Sequence, residues 1–340
     1  MATYITLSSI IAAAARIKKS VIRTPTVLSP GLSDMLGRKV FLKLENLQTG
    51  GSFKARGVLN LLSAFSGNLK DYRFAAVSGG NFGIAVAEAA KALDIKVTVI
   101  MPKNAPASSI EKIRHSGSTV ILEEDVSSAF ERTRTLAEQG YHIIDDCSDT
   151  LVAEGYGTLA LELMEDCPSL TDVFVAVGGG AMLAGIATVL KSHNPNIRVW
   201  GVETEGASSM YQALKAGKPV NVDITSAIST LGVPVIDHLM LEHAQLHIEK
   251  VILVSDSDAI QGMISFGEKA SNGLNLQQGH SFQPFSLYYP TCLTMQLLDS
   301  SYVEVTLRSE RWIRGQAIEV FIRLYVVKTT EYTYSLMVSE

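Results

Sequence analysis

Lys54 is the residue of this sequence whose type and surroundings best suit a reactive amine. It lies in the segment 50–57, Gly-Gly-Ser-Phe-Lys-Ala-Arg-Gly, and glycines let a backbone approach a ligand closely. The alternating apolar run at 40–44 predicts a strand that delivers this loop to a domain edge. A solvated lysine in a polar turn is the alternative, because most lysines are exposed.

A second loop, Ser-Gly-Gly-Asn-Phe-Gly at 78–83, joins a predicted strand to a predicted helix. This order places free backbone N–H groups and a helix N-terminus at the carboxyl end of a parallel strand, where anions bind. Asn81 adds a side-chain donor and acceptor. The loop therefore predicts a site for a carboxylate or phosphate, and the alternative is a glycine turn used for tight packing.

A third loop, Gly-Gly-Gly-Ala-Met at 178–182, follows the apolar strand-like run 173–177. Three consecutive glycines let successive N–H groups converge on one oxyanion, and the dipole of the following helix reinforces the interaction. The spacing is not the dinucleotide-binding fingerprint, because Leu183 stands where a third glycine is required. The loop predicts a phosphate site.

The elements that must position these loops alternate regularly. Strands are predicted at 74–77, 97–100, 119–122, 142–144, 173–177 and 199–202, and helices at 7–18, 84–93, 107–115, 126–139, 155–164 and 181–193. Strands that alternate with helices in this way are parallel and are joined by helical crossovers. The predicted fold class is α/β with two sheets.

Composition narrows the function. The 340 residues carry a net charge of -5 and are 47% apolar, which indicates a soluble protein without the basic excess of a nucleic-acid binder. No stretch reaches the roughly 18 uncharged apolar residues of a membrane span. The three cysteines, Cys147, Cys167 and Cys292, lack metal-type spacing and favour a reducing, cytoplasmic location.

Other polar clusters give weaker evidence of a functional site. His243 and His247 are four residues apart and could share a helix face, yet the glutamate of a zinc protease is missing, so a solvated face is favoured. The acidic pairs at 145–146 and 123–125 follow predicted strands and are interpreted as solvated loop charges.

Together, the segments 52–57, 78–83 and 178–182 resemble, in sequence, order and spacing, the fold type II pyridoxal-phosphate enzymes, and the threonine and serine dehydratases are the most similar group. The resemblance covers roughly residues 20 to 265. It implies two open, twisted, mainly parallel sheets flanked by helices, as in the β subunit of tryptophan synthase. The large cofactor-binding domain would comprise residues 1–46 and 151–340, and the small domain residues 47–150.

The resemblance also implies residue roles. Lys54 would be covalently linked to pyridoxal 5'-phosphate, Phe53 would pack against the cofactor ring, and Asn81 would hydrogen-bond its ring hydroxyl. The implied phosphate-binding residues are Gly178, Gly179, Gly180, Ala181 and Met182. The implied binders of the substrate carboxylate are Ser78, Gly79, Gly80, Asn81 and Phe82. No metal is predicted.

The implied reaction converts L-threonine or L-serine to a 2-oxo acid and ammonia, with the freed Lys54 removing the Cα proton. The alternatives are a β-replacement enzyme similar to cysteine synthase and a non-catalytic relative of the fold. The expected partner is a small amino acid, without nucleic acid or membrane, and the resemblance suggests a homodimer.

The sequence departs from the family pattern at several positions. Phe82 replaces the usual histidine, and Gly79 stands where racemases have a serine, so racemisation is disfavoured. Glu203 matches one metal ligand of the racemases, but Ser209 replaces the aspartate. Nothing after Gly273 matches the family segment that contacts the pyridine nitrogen, so residues 271–340 form an unrecognised tail that either closes the site in another way or leaves it incomplete.

Overall fold

The chain forms helices and strands in alternation, which we describe from a computed structural model. The structure describes residues 4–262, 293–295, 303–313, 316–326 and 334–339. The helices within these residues are α1 (Leu7–Ile17), α2 (Pro30–Leu36), α3 (Lys54–Ala64), α4 (Asn81–Ala92), α5 (Ala107–His115), α6 (Val126–Glu138), α7 (Thr150–Asp166), α8 (Ala181–His193), α9 (Ser209–Ala216) and α10 (His238–His247). The strands are β1 (Thr26–Leu28), β2 (Lys39–Lys43), β3 (Phe74–Val77), β4 (Val97–Pro102), β5 (Thr119–Glu123), β6 (His142–Ile143), β7 (Asp172–Ala176), β8 (Arg198–Thr204), β9 (Lys250–Val254), β10 (Leu293–Met295), β11 (Val303–Ile313), β12 (Gln316–Val326) and β13 (Tyr334–Ser339).

Two main sheets are flanked by the helices. The larger sheet runs β1-β2-β13-β7-β8-β9, with β10 paired to β13. The smaller sheet runs β5-β4-β3-β6, and its pairs are all parallel. In the larger sheet β7, β8 and β9 are parallel to one another, as helical crossovers require. The predicted α/β class is confirmed.

The strand β13 lies between β2 and β7 and is antiparallel to both. It pairs Met337 with Phe41 on one side and with Val173 on the other. The unrecognised tail therefore contributes backbone to the larger sheet, and β11 and β12 form an antiparallel pair of their own. The rest of residues 271–340 lies outside the described residues.

Local capping explains where the helices begin. In α1 the Thr6 side chain accepts a hydrogen bond from the Ser9 backbone N–H, and the Ser9 hydroxyl in turn accepts from the Thr6 N–H. Helix α7 begins at Thr150, five residues before the predicted start, because the Asp149 carboxylate caps its first turn. Among the described helices, none is long and apolar enough to cross a bilayer.

Helices α3 and α7 approach each other through glycines. A Cβ added at Gly155 would lie 2.4 Å from the Arg56 carbonyl oxygen, and one added at Gly57 would lie 2.5 Å from the Tyr156 ring. Backbone therefore packs directly on side chain and backbone at this crossing. This contact fixes the first turn of α3, and with it Lys54, against α7.

A buried charge network ties the same two helices to the end of β2. The Arg56 guanidinium is fully buried and donates to the Glu45 carboxylate at 2.8 and 2.9 Å and to the Glu162 carboxylate at 2.7 and 3.0 Å. Such bidentate pairs hold a fixed geometry. The network therefore makes the α3–α7 crossing rigid as well as close.

Candidate active site

Lys54 is the first residue of α3 and its side chain is largely enclosed, with 12% of it exposed. Its Nζ atom lies 4.9 Å from the ring centroid of Phe53, 5.4 Å from that of Tyr156 and 5.9 Å from that of Phe82. Aromatic faces within about 6 Å attract a cation and keep water away from it. The alternative of a solvated lysine in a turn is therefore wrong.

The partner of Lys54 is Asp146, which follows β6. The Nζ atom forms an ion pair and hydrogen bond with Asp146 Oδ2, and the Asp146 side chain is 21% exposed. The prediction that the 145–146 pair consists of solvated loop charges is wrong for Asp146. Sequence showed that these charges follow a strand, but the contact with Lys54 arises from the packing of distant segments.

Tyr156 completes this cluster from α7. Its hydroxyl donates a hydrogen bond of 2.5 Å to Asp146 Oδ1, and its ring packs edge-on against Phe53 with centroids 4.9 Å apart. Burial, and then the neighbouring Asp146 carboxylate, raise the pKa of Tyr156 well above its usual value. The hydroxyl therefore remains a donor. Sequence reasoning missed this role of Tyr156.

The glycine loop 178–180 follows β7 and leads into α8, as predicted. Gly180 is the N-cap of α8, has a left-handed conformation with φ of +88°, and provides no side-chain cap. The first N–H groups of a helix have no partners within the helix. This end of α8 therefore presents main-chain donors and a positive dipole end to an anion.

Cys147 lies against the glycine loop. A Cβ added at Gly179 would be 2.4 Å from the Cys147 Sγ atom, so a residue other than glycine does not fit there. Burial, and then Asp146, raise the pKa of the Cys147 thiol above its usual value, so the thiol is neutral. Cys147 thus lines the site without an ionised group.

A cavity of about 50 Å³ lies between Lys54 and the glycine loop. Its lining comprises Phe53, Lys54, Asp146, Cys147, Tyr156, Ala176, Gly178, Gly179, Gly180, Ala181, Met182, Leu183, Thr230, Leu231 and Val233. The structure therefore brings the predicted amine and the predicted phosphate loop together, although they are far apart in the sequence.

The residues that line this cavity suit pyridoxal phosphate, which requires an amine, an apolar contact for its ring and a binding site for its phosphate. Lys54, Phe53 and the uncapped start of α8 supply these three features on one cavity. The volume of about 50 Å³ is smaller than the ~300 Å³ or more of a typical ligand pocket. The cavity must therefore widen when the cofactor enters.

The predicted substrate loop lies at the start of α4, after β3. The Ser78 hydroxyl accepts a hydrogen bond of 3.2 Å from the Gly80 N–H, and Asn81 is buried. The lining of the cavity does not include Ser78, Gly79, Gly80 or Asn81. Within this loop, Phe82 lies near Lys54, with its ring centroid 5.9 Å from the Nζ atom.

His243 is buried, so the predicted solvated face of α10 is wrong at this position. Its Nε2 atom accepts from the Ile5 backbone N–H at 3.3 Å, and Nδ1 lies 3.3 Å from the Thr188 hydroxyl. The rings of His243 and His247 lie 5.8 Å apart, which confirms that they share a helix face. This histidine secures the N-terminal segment rather than facing solvent.

Glu203 caps a helix. Its buried carboxylate accepts hydrogen bonds of 2.8 Å from the N–H groups of Met210 and Tyr211 in the first turn of α9. The Ser209 hydroxyl lies 3.5 Å from the same carboxylate. Burial raises the pKa of Glu203 to about 8.

A family model described as "Pyridoxal-phosphate dependent enzyme" matches residues 17–274, which is more than half of the chain. The chain therefore belongs to the family of pyridoxal-phosphate-dependent enzymes. The predicted fold type and the predicted cofactor are confirmed by this match and by the solved structures of similar fold.

Several relatives have similar sequences. L-threonine ammonia-lyase of Thermotoga maritima is 34% identical over 269 residues, which are 78% of this chain and 67% of that protein. L-threo-3-hydroxyaspartate ammonia-lyase of a Pseudomonas species is 33% identical over 270 residues, 76% of this chain and 82% of that protein. The catabolic L-threonine dehydratase of Staphylococcus aureus is 38% identical over 215 residues, and the match spans 62% of this chain and 61% of the length of that protein.

Solved structures of similar fold include the processed form of threonine deaminase isoform 2 from Solanum lycopersicum, with a TM-score of 0.72 and 28% identity over 80% of this chain and 76% of that one. Maize serine racemase has a TM-score of 0.73 and 29% identity over 81% of this chain and 83% of that one.

Proposed function

We propose that this chain is a pyridoxal-phosphate-dependent ammonia-lyase that converts L-threonine or L-serine to a 2-oxo acid and ammonia. The observation that carries the proposal is the meeting of Lys54 with the uncapped start of α8 on one cavity. The relatives named as threonine ammonia-lyase and threonine dehydratase support the reaction class.

In this proposal Lys54 holds the cofactor covalently, and the main-chain donors at Gly178, Gly179, Gly180, Ala181 and Met182 bind its phosphate. Phe53, which is buried beside Lys54, packs against its ring. Asn81 hydrogen-bonds the ring hydroxyl, and the loop 78–82 binds the substrate carboxylate. The support for the last two roles is the position of this loop at the N-terminus of α4, an anion-binding end.

The chemistry divides between the cofactor and the protein. When bound, pyridoxal phosphate accepts the electron pair that the Cα–H bond of the substrate releases. Lys54 Nζ, which is free once the substrate amine has taken its place, takes the proton, and the rings of Phe53, Phe82 and Tyr156 exclude water around this atom. Overall, the β-hydroxyl leaves as water, and hydrolysis then releases the amine as ammonia.

The test is to add pyridoxal phosphate to the purified protein, record the visible spectrum, and then add L-threonine or L-serine and measure 2-oxo acid and ammonia. Borohydride reduction followed by peptide mass spectrometry locates the modified lysine. Lys54→Ala abolishes the reduced adduct and the activity. Lys103→Ala is the matched control, because Lys103 is half-exposed and pairs with Glu124 on the surface.

Each outcome separates the alternatives. Ammonia release from L-serine without an added thiol excludes a β-replacement enzyme. A reduced adduct without turnover would leave a non-catalytic cofactor-binding relative. An adduct that persists at one site in the Lys54→Ala variant would refute the assignment of Lys54.

Domain organisation, location and assembly are parts of the same proposal. We propose a small domain of residues 47–150 within a large domain of residues 1–46 and 151–340, supported by the fact that the smaller sheet uses strands β3 to β6 alone. Free thiols at Cys147 and Cys167 favour the reducing cytoplasm. The homodimer rests on family resemblance, and analytical ultracentrifugation tests it.

A further inference from the structure

The ion pair between Lys54 and Asp146 differs in kind from the surface pairs of this protein. The Lys54 and Asp146 side chains are 12% and 21% exposed, whereas those of Lys103 and Glu124 are 55% and 77% exposed. Water screens an exposed pair so that it contributes little, but it screens an enclosed pair much less. Water therefore screens the Lys54–Asp146 pair less than the Lys103–Glu124 pair.

The Asp146 carboxylate is itself held in place. The Tyr156 hydroxyl occupies Oδ1, which leaves Oδ2 directed at Lys54. Tyr156 is fixed in turn, because it is buried in α7 and its ring packs against Phe53. A carboxylate with one oxygen bound to a rigid donor keeps its other oxygen in a defined position.

The turn that carries Asp146 is ordered from both sides. The Asp145 carboxylate accepts from the Cys147 N–H at 2.8 Å and from the Ser148 hydroxyl at 2.5 Å. On the opposite side Cys147 packs against the backbone of Gly179. The segment 145–148 thus connects the amine to the phosphate loop.

From this geometry we propose that Asp146, fixed by Tyr156, is the positioning residue of Lys54: it holds the amine in the cofactor-free protein and stabilises its ammonium after Lys54 has taken the Cα proton. The second half rests on the proposed lyase function. The proton moves from the substrate Cα to Lys54 Nζ, and the resulting positive charge lies beside the Asp146 carboxylate. A charge that develops next to a preorganised opposite charge lowers the barrier of the step.

The first experiment uses the cofactor-free protein. The rate at which an amine-acylating reagent, acetic anhydride, labels Lys54 is measured by peptide mass spectrometry in the wild type, Asp146→Asn, Tyr156→Phe and Glu124→Gln. We expect labelling about tenfold faster in Asp146→Asn and a smaller increase in Tyr156→Phe, because a charge-assisted hydrogen bond is lost or loosened. Glu124→Gln leaves the Lys54 rate unchanged. Equal rates in the wild type and Asp146→Asn would overturn the proposal.

The second experiment uses the loaded enzyme. In Asp146→Asn we expect kcat to fall about 10- to 100-fold while KM changes little, because Asp146 acts on Lys54 and not on the substrate. Asp146→Glu restores part of kcat, since it returns the charge, and Glu124→Gln keeps the wild-type kcat. A variant Asp146→Asn that raises KM at unchanged kcat would show that Asp146 binds substrate instead.

The two experiments separate the two proposals. If the wild type forms no 2-oxo acid, the lyase function and the role of Asp146 in turnover both fail, while the labelling rates still decide whether Asp146 holds Lys54. If the wild type is active but Asp146→Asn is equally active, the lyase function stands and the role of Asp146 in turnover is refuted. Circular dichroism spectra that match the wild type exclude misfolding as the cause of any change.

Discussion

Replacing Gly179 by alanine tests the close contact between the glycine loop 178–180 and the segment 145–148. The added Cβ would lie 2.4 Å from the Sγ, 2.6 Å from the Cβ and 2.9 Å from the Cα of Cys147. Carbon atoms in protein interiors pack about 3.5–4.0 Å apart, so one of the two backbone segments has to shift. Overpacking of this kind destabilises proteins by about 1–3 kcal/mol.

The matched control is Gly178→Ala, one residue earlier in the same loop. Its added Cβ would lie 3.6 Å from its nearest neighbour, the carbonyl oxygen of Thr230, which is ordinary contact. Urea denaturation of the cofactor-free proteins, followed by circular dichroism, gives both free energies of unfolding. We expect a loss of about 1–3 kcal/mol in Gly179→Ala relative to Gly178→Ala.

The contact with Cys147 also predicts that replacing Cys147 by alanine does not restore the stability lost in Gly179→Ala. Cys147→Ala removes Sγ, yet the Cys147 Cβ at 2.6 Å remains in conflict, so the double variant Gly179→Ala/Cys147→Ala stays less stable than Cys147→Ala. A Gly179→Ala variant as stable as Gly178→Ala would refute the close packing of the two segments.

Three further outcomes follow from other parts of the structure. Glu45→Gln leaves the buried Arg56 charge with a weaker partner, and we expect the free energy of unfolding, measured by urea denaturation, to fall by about 3–5 kcal/mol. A decrease below about 1 kcal/mol would contradict the stabilising role of this charge network. Burial, and then His247, lower the pKa of His243 to about 4, so the unfolded chain binds a proton at this histidine at a higher pH than the folded chain does. We therefore expect the free energy of unfolding to fall by up to about 3 kcal/mol as the pH is lowered from 6.5 to 4. His243→Gln diminishes this loss, whereas the control His193→Gln, which replaces an exposed histidine, does not. Deletion of residues 334–340 leaves β2 and β7 without the strand between them, so backbone amides of these two strands gain hydrogen exchange while those of β3 do not; unchanged exchange in β2 and β7 would exclude the strand order.

Local patterns in the sequence were sufficient to predict most helices and strands of the described residues. Helices α5 and α8 begin and end at the predicted residues, and β3 does so as well, because apolar periodicity and glycine loops mark their limits. The start of α7 was predicted five residues late, since its limit depends on capping by Asp149 rather than on apolar period.

Lys54 and the glycine loop 178–180 could also be singled out from the sequence, because each lies in a short motif. The environment of the amine could not. Asp146 is distant from Lys54 in the sequence, and their contact depends on how α3 packs on α7 and where β6 ends. The buried state of His243 was missed for the same reason, since its partners come from the N-terminal segment and α8.

The crossing of α3 and α7 has a consequence for movement within the enzyme. Lys54 begins α3, in the proposed small domain, and Tyr156 belongs to α7, in the proposed large domain. At Gly57 and Gly155 no space separates the two helices. If the proposed domains rotate when ligands enter, this crossing is the pivot, where displacement is smallest. The amine would therefore keep its place beside Tyr156 and Asp146 during such a rotation.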